Sequence, residues 1–368
     1  PCMAIFGRVM SLCNPAPTDN TSTNVARLDD AYVALTETPL PVRFDPETLE
    51  TVGAVAFEDE VDVDTSTAHP HVEPDTGRTL SYAASFGRPC LYKILGVSPE
   101  ARTREVVARL DVDRPSYMHS FGMTERYVVL SEWPIVVNPL DLLLRGKPFI
   151  ENFEWQPERG TRFRILRKRD GAEVATCRAD PAFGFHHVNA FEQGNEVVCD
   201  VVTYPDASIV DDLYLDRLRS DAPTPGTGHL RRYRLPLDGG AASSTRQSDE
   251  RLELPRIHEE AARARPYRYV YGVGTHAPGN FTDQIVKIDV ETGAAETWHE
   301  AGIYPGEPVF VPRPDATAED DGLLLSVGLD PDRERSFLLV LNAASLEEQA
   351  RAVVPHAIPF GFHGQFFE

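Results

Sequence analysis

Residues Arg162–Ala175 read RFRILRKRDGAEVA. A run of β-forming residues meets Asp170 and Gly171, after which the chain resumes. Asp and Gly at such a point supply the turn chemistry of a hairpin. Similar punctuation recurs in DPETLET (45–51), EPDTGRTL (73–80) and DVETGAAETW (289–298). Around these phrases lie short β-rich runs: AYVALTET (31–38), YVVLSEWPIVVN (127–138), EVVCDVVTY (196–204), YRYVYGVG (267–274), QIVKIDV (284–290), PVFVPRP (308–314), LLLSVGL (323–329) and FLLVLN (337–342). Many strands at short spacing, joined by hairpin turns, imply an all-β sandwich, barrel or propeller. The phrases share a rhythm but not a sequence, so an array of WD or kelch repeats is not supported. A propeller of diverged blades fits a 368-residue chain better than one sandwich.

Helices are expected to be few. SIVDDLYLDRLRSD, Ser208–Asp221, has a serine at a plausible N-cap and apolar residues near helical spacing. NPLDLLLRGKPFIENF, Asn138–Phe153, is a second candidate, with Pro139 opening a brief leucine run. Segments 224–228 (TPGTG) and 238–250 (DGGAASSTRQSDE) read as polar surface loops. No composition break marks a domain boundary, so 1–368 reads as one domain.

Composition excludes several classes. A net charge of −21 is unsuited to phosphate binding, so no nucleic-acid partner is expected. The positive charge is nearly all arginine, lysine occurring only at Lys93, Lys147, Lys168 and Lys287. No 18-residue apolar run and no signal peptide are visible. Five cysteines without a C-x-x-C pair suggest neither a disulfide framework nor a zinc site. A reducing, cytoplasmic location is the simplest reading.

Eleven histidines are present, and four stand in distinctive settings beside β-rich runs: TAHPHVEPDTG, SYMHSFGMTERYVVL, FHHVNAFE and PFGFHGQFFE. A lone histidine is most often a satisfied polar residue. Four from separate blades could converge, because the inner strands of a propeller face one axis. Along a strand His186 and His187 must point to opposite faces. The HPH at 69–71 also resembles the H-x-H of a metal-dependent amidohydrolase, but that fold alternates strands with helices, and this chain is helix-poor.

Taken together, TETPLPVRFDPETLET (36–51), TAHPH (67–71), YMHSFGMTERYVV (117–129), FHHVNAFE (185–192), LELP (252–255), YPGEPVFVP (304–312), EDDGLLLSV (319–327) and FGFHGQFF (360–367) resemble the carotenoid cleavage oxygenases, the family that includes the vertebrate retinoid isomerohydrolase. The resemblance implies a seven-bladed β-propeller with a small helical dome and a non-haem Fe(II) on its axis. Carried over by motif, the iron ligands are His69, His119, His186 and His363. The family pattern thus selects His186 over His187 and His69 over His71. It also implies that Glu37, Glu253 and Glu307 fix the outer nitrogens of the rings, and that Thr23 lies near the open iron positions. Imidazole nitrogen suits Fe(II). Family chains carry a further segment ahead of the position matched by Pro1–Cys2, so a propeller lacking its N-terminal strands is expected.

The activity implied is Fe(II)-dependent oxidative cleavage of a conjugated C=C bond of a carotenoid or apocarotenoid, with O2, to carbonyl products. Alternatives in the same family are a retinoid isomerohydrolase or a stilbene-cleaving oxygenase; outside it stands an inactive, truncated propeller. Leu140, Leu142, Leu143, Leu144, Phe149 and Ile150 are expected to form an apolar patch that lies on a membrane without spanning it.

Overall fold

In a computed structural model of the chain, residues 21–28, 31–98, 103–144, 146–220, 228–276 and 281–367 are described. They build two compact units. The first holds the described residues up to Phe121 together with Arg126–Ala182 and Asp238–Gly240; the second holds Gly122–Glu125, Phe183–Leu237 and Ala241 onward.

Antiparallel meanders make up both units. In the first, Asn24–Leu28, Ala31–Leu35, Val42–Phe44 and Thr51–Ala54 pair in chain order. Thr79–Ser85, Cys90–Val97 and Glu105–Val112 follow, with the short strands Thr65–Ser66 and His71–Val72 both against Thr79–Ser85. Tyr127–Glu132, Thr161–Arg167 and Glu173–Ala179 form the next meander, and Ile135–Val137 pairs with Phe153–Trp155. In the second unit His187–Gln193, Glu196–Thr203, Gly228–Pro236 and Ser243–Arg256 run in order. The far end of Ser243–Arg256 then pairs with Tyr269–Gly274, followed by Gln284–Asp289 and Ala295–His299. A last meander comprises Val309–Pro312, Gly322–Asp330, Arg335–Asn342 and Glu348–Val353.

Burial is graded along these meanders. Tyr127–Glu132 is buried at every position and Glu196–Thr203 at nearly every one, whereas the outer strands Thr51–Ala54, Ala295–His299 and Glu348–Val353 are largely exposed. A strand covered on both faces reads as a continuous apolar run. In the second unit Val198, Val202, Leu230, Leu252, Val270, Val286 and Ile288 form one core cluster, and Tyr271, Ile285, Leu324, Leu339 and Leu341 belong to another.

The four turn phrases are one device. In each, the N–H of the fifth residue donates to the carbonyl of the first: Leu49 to Asp45, Gly77 to Glu73, Gly171 to Arg167 and Gly293 to Asp289. That fifth residue has φ of 60°, 67°, 68° and 76° respectively. Glycine occupies three of the four because it enters the left-handed region without a Cβ clash. Leu346 repeats the arrangement on Asn342, with φ 55°.

Three segments depart from expectation: Asn138–Phe153 is α-helical only over Pro139–Leu144, with a 3-10 turn at Ile150–Asn152 and a strand from Phe153, and two others differ more. Ser208–Asp221 is not one helix: Ser208–Asp212 and Leu215–Leu218 are separated by Tyr214 in an extended conformation. Leu213, Tyr214 and Leu215 are all exposed, so no buried face sustains a longer helix. Nor is Ser208 the N-cap, a position held by Ala207; Asp206 accepts the Ser208 N–H instead. The polar stretch expected as a loop within 238–250 is mostly strand, because Ser243–Arg256 begins at Ser243. Its first residues are solvent-exposed and pair through the backbone ladder and an Arg231–Ser244 hydrogen bond, leaving no apolar signal in the sequence.

Gly171 and Gly194 share a positive φ but differ in surroundings. A Cβ on Gly171 would lie 2.3 Å from the Val107 carbonyl oxygen, while one on Gly194 would meet nothing within 4 Å. Gly194→Ala should cost about 1 kcal/mol, the left-handed strain alone. Gly171→Ala should cost at least about 2 kcal/mol, because backbone must also move. Denaturant melts of the two variants check the ordering.

Candidate metal centre

Within the first unit the rings of His69 and His119 meet. Their Nε2 atoms are 2.9 Å apart, and the ring planes are inclined at 62°. His69 lies just before the strand His71–Val72, and His119 follows an isolated bridge between Ser116 and Val136. Thr67, 5% exposed, ties the two backbones: its hydroxyl donates to the His119 carbonyl at 2.5 Å and accepts the His69 N–H at 3.0 Å. His119 Nδ1 is 2.7 Å from Glu37 Oε1, which also accepts the Tyr117 hydroxyl at 2.8 Å. Burial, then the Glu37 charge, hold the Tyr117 phenol well above its ordinary pKa, so it remains a donor. Thr23 is placed just before the strand Asn24–Leu28, with its hydroxyl donating to Thr36, the residue before Glu37.

The second unit repeats this arrangement with different residues. His186 Nε2 and His363 Nε2 are 3.1 Å apart. His186 immediately precedes the strand His187–Gln193, and its carbonyl accepts the Val202 N–H. His186 Nδ1 is 2.6 Å from Glu253 Oε2, and the other oxygen of Glu253 accepts the Tyr204 hydroxyl at 2.6 Å. His363 Nδ1 is 2.8 Å from Glu307 Oε1, while Glu307 Oε2 accepts the Gly364 N–H at 3.0 Å and lies 3.0 Å from the Arg256 guanidinium. Burial opposes the charge on Glu253, but His186, Tyr204 and the Leu254 N–H outweigh it, and the carboxyl is held below its ordinary pKa. Burial opposes Glu307 likewise, and Arg256, His363 and the Gly364 N–H prevail.

These contacts assign the tautomers. A carboxylate is an acceptor, so the proton sits on Nδ1 and the lone pair on Nε2. In the His186–His363 pair two lone pairs then face each other at 3.1 Å, a repulsive arrangement unless a cation lies against both. Nitrogens bound at right angles to one first-row ion, at about 2.1 Å each, are about 3.0 Å apart. Both pairs match that spacing, and neutral imidazole is a proper donor for first-row transition ions. The residues fit a metal.

Other histidines are engaged elsewhere. His71 Nε2 is bonded to the Phe121 carbonyl, and its ring packs edge-on against Phe121. His258 stacks on Phe310, and His276 stacks on His299. His187 is half-buried and opens its strand. Glu192 accepts the Thr124 hydroxyl. The motifs did not single out Thr67, Tyr117, Tyr204 or Arg256. Tyr117 and Thr67 each stand two residues before a site histidine, the one signal the sequence offered for either.

Beside the first pair runs an aromatic cleft, with Tyr82, Phe86, Met118, Phe149, Phe153 and Glu37 among its walls. Phe86, Phe149, Phe153, Tyr117 and His119 form a continuous series of rings with centroids 5.1–6.5 Å apart.

Comparison with solved structures gives the class. The fold matches cobalt-substituted apocarotenoid oxygenase of Synechocystis with a TM-score of 0.83 at 24% identity, over 94% of this chain and 74% of that one. An ACO/RPE65 chimera gives 0.80 at 24% identity, over 98% and 77%. This likeness establishes an all-β, propeller-like fold with few helices. Sequence gives the family. The family model RPE65, retinal pigment epithelial membrane protein, matches residues 5–368. Carotenoid isomerooxygenase of Galleria mellonella is 34% identical over all of this chain and 77% of its own length. Mitochondrial carotenoid-cleaving dioxygenase of Macaca fascicularis is 33% identical over 100% and 76%, and chloroplastic carotenoid cleavage dioxygenase 8 homolog A of Oryza sativa subsp. japonica is 34% identical over 98% and 67%. The chain belongs to the RPE65/carotenoid cleavage oxygenase family, and is an oxygenase by class.

The assigned geometry separates the adjacent histidines experimentally. His186→Ala should abolish tight binding of a first-row divalent ion, and His187→Ala should leave it within about two-fold of the parent. Glu253→Gln should weaken it by about 10–100-fold through loss of the ring's anchor. Competition with a chromophoric chelator measures all three.

Proposed function

We propose that the chain is an Fe(II)-dependent dioxygenase that cleaves a conjugated C=C bond of a carotenoid or apocarotenoid to carbonyl products. The carrying observation is the 3.1 Å approach of the His186 and His363 Nε2 atoms, each ring held at Nδ1 by a buried carboxylate, with His69 and His119 repeating the spacing at 2.9 Å. In this reading His69, His119, His186 and His363 together hold one iron on the axis of a seven-bladed propeller with a helical dome, and 1–368 is a single catalytic domain. The meanders of about four strands are the blade unit such a fold requires.

Bound ferrous iron supplies open coordination positions for the activation of dioxygen. The protein's part is placement. Glu37, Glu253 and Glu307 hold three rings in one tautomer, so their donor nitrogens need no rearrangement. Thr23, whose hydroxyl donates to Thr36 next to Glu37, would lie near the open positions of a bound iron in this reading. Phe86, Phe149 and Phe153 offer the flat apolar walls that a polyene needs, and Met118 adds a polarisable contact. In this reading no side chain of the chain acts as nucleophile or general base.

The reading predicts that protein loaded with iron under anaerobic conditions gives no carbonyl product from an apocarotenoid until O2 is admitted. Chromatography of the products checks it. Turnover without O2 would overturn it in favour of an isomerohydrolase, and a parent protein that takes up no iron would overturn it altogether.

Substrates of this kind partition into bilayers, and the helix Pro139–Leu144 carries a matching surface. Leu140, Leu144 and Phe149 are exposed, Leu142 and Ile150 are half-buried, and the Leu143 side chain lies outside the described residues. No helix among the described residues is long and apolar enough to cross a membrane. This patch is read as lying on the bilayer surface. Leu144→Asp with Phe149→Asp should remove binding to neutral phosphatidylcholine liposomes in a flotation assay; unchanged flotation would refute the contact.

A further inference from the structure

Each of the three site carboxylates has a second donor, and one donor differs from the others. Glu37 is met by the Tyr117 hydroxyl and Glu253 by the Tyr204 hydroxyl, both neutral. Glu307 is met by the guanidinium of Arg256 at 3.0 Å. The Arg256 and Glu307 side chains are 12% and 4% exposed, so the charges lie largely outside the screening of water. The same Arg256 nitrogen also donates to the Gly364 carbonyl, next in the chain to His363. Gly364 returns its N–H to Glu307. Two hydrogen bonds and the Arg256–Glu307 ion pair therefore close a ring through Arg256, Glu307 and the His363–Gly364 turn.

Hydrogen bonding alone does not account for an arginine here. A tyrosine hydroxyl serves the other two carboxylates, and the Arg256 Nε is buried without a hydrogen-bond partner among the described residues. An incompletely used guanidinium is an expensive donor, since burying it removes hydration that nothing replaces. What it brings that tyrosine cannot is a permanent positive charge. Two carboxylates, Glu253 and Glu307, back the His186–His363 pair; with Arg256 their net charge falls from −2 to −1.

We propose that Arg256 is a positioning residue of the metal site, which cancels the charge of Glu307 and braces the turn carrying His363. The inference rests on reading His186 and His363 as metal ligands. Its consequence is electrostatic: one positive charge beside the ligand shell disfavours the ferric ion relative to the ferrous one. An oxygenase resting in the ferrous state gains resistance to oxidation while no substrate is bound.

A double-variant cycle tests it. Parent, Arg256→Gln, Glu307→Gln and the double variant are compared by the midpoint potential of bound iron and by melting of the metal-free protein. Arg256→Gln should lower the potential, Glu307→Gln should raise it, and the double variant should return close to the parent. Each single variant should melt lower than the double, which buries no unpaired charge. An unchanged potential in Arg256→Gln, or a double variant displaced further than either single one, would overturn the proposal. Should Arg256→Gln not fold, a folded double variant with parent-like potential still supports it, whereas a double variant that also fails to fold assigns Arg256 to the fold and overturns it. Iron absent from the parent would instead defeat the metal reading, and the metal-free melting cycle would still decide whether Arg256 and Glu307 act as a unit.

Discussion

A short hydrogen bond from a histidine Nδ1 to a glutamate oxygen is the constraint on which the rest of the site depends. It occurs at His119, His186 and His363, at 2.6–2.8 Å. Each bond fixes where the proton sits and therefore where the lone pair points. Facing lone pairs about 3 Å apart are costly in an empty protein, and they become favourable once a cation is present. Tyr204 and Arg256 each take the carboxylate oxygen that the ring leaves free, while Tyr117 shares Glu37 Oε1 with His119.

The meanders make such placement possible. His69 lies at the start of its sheet and His186 directly precedes the strand that opens its own, while the exposed, polar strands come last. Repetition of one turn geometry at Gly77, Gly171 and Gly293 keeps successive strands in register without a shared repeat sequence. Leu49 and Leu346 adopt the same left-handed φ without glycine.

Most strands were legible because their signal is local. The runs at 127–138, 196–204, 284–290, 323–329 and 337–342 all form strands within a residue or two of their apolar limits, and all four turn phrases close hairpins. Reading failed where local signal and context disagree. Ser208–Asp221 has helical composition but no partner to cover its leucines, and breaks at Tyr214. Ser243–Gln247 has loop composition, yet the neighbouring strand Gly228–Pro236 offers it a ladder of backbone groups.

The all-β class, the hairpin punctuation and, through motifs, the histidines and glutamates to watch are legible in the sequence. Each of these resides in a few consecutive residues, where turn chemistry and side-chain alternation act directly. Only the tertiary structure decided which side chains hold the carboxylates. Tyr204 reaches Glu253 across 49 residues, and Arg256 reaches Gly364 across 108. A hydroxyl or guanidinium has no local mark of such a role, because the energy that fixes it comes from a partner that the chain brings near only on folding. His186 stands one residue ahead of the strand His187–Gln193, so strand alternation alone does not set where its ring points. That His186 points to a buried glutamate and a second ring is a property of the folded unit alone.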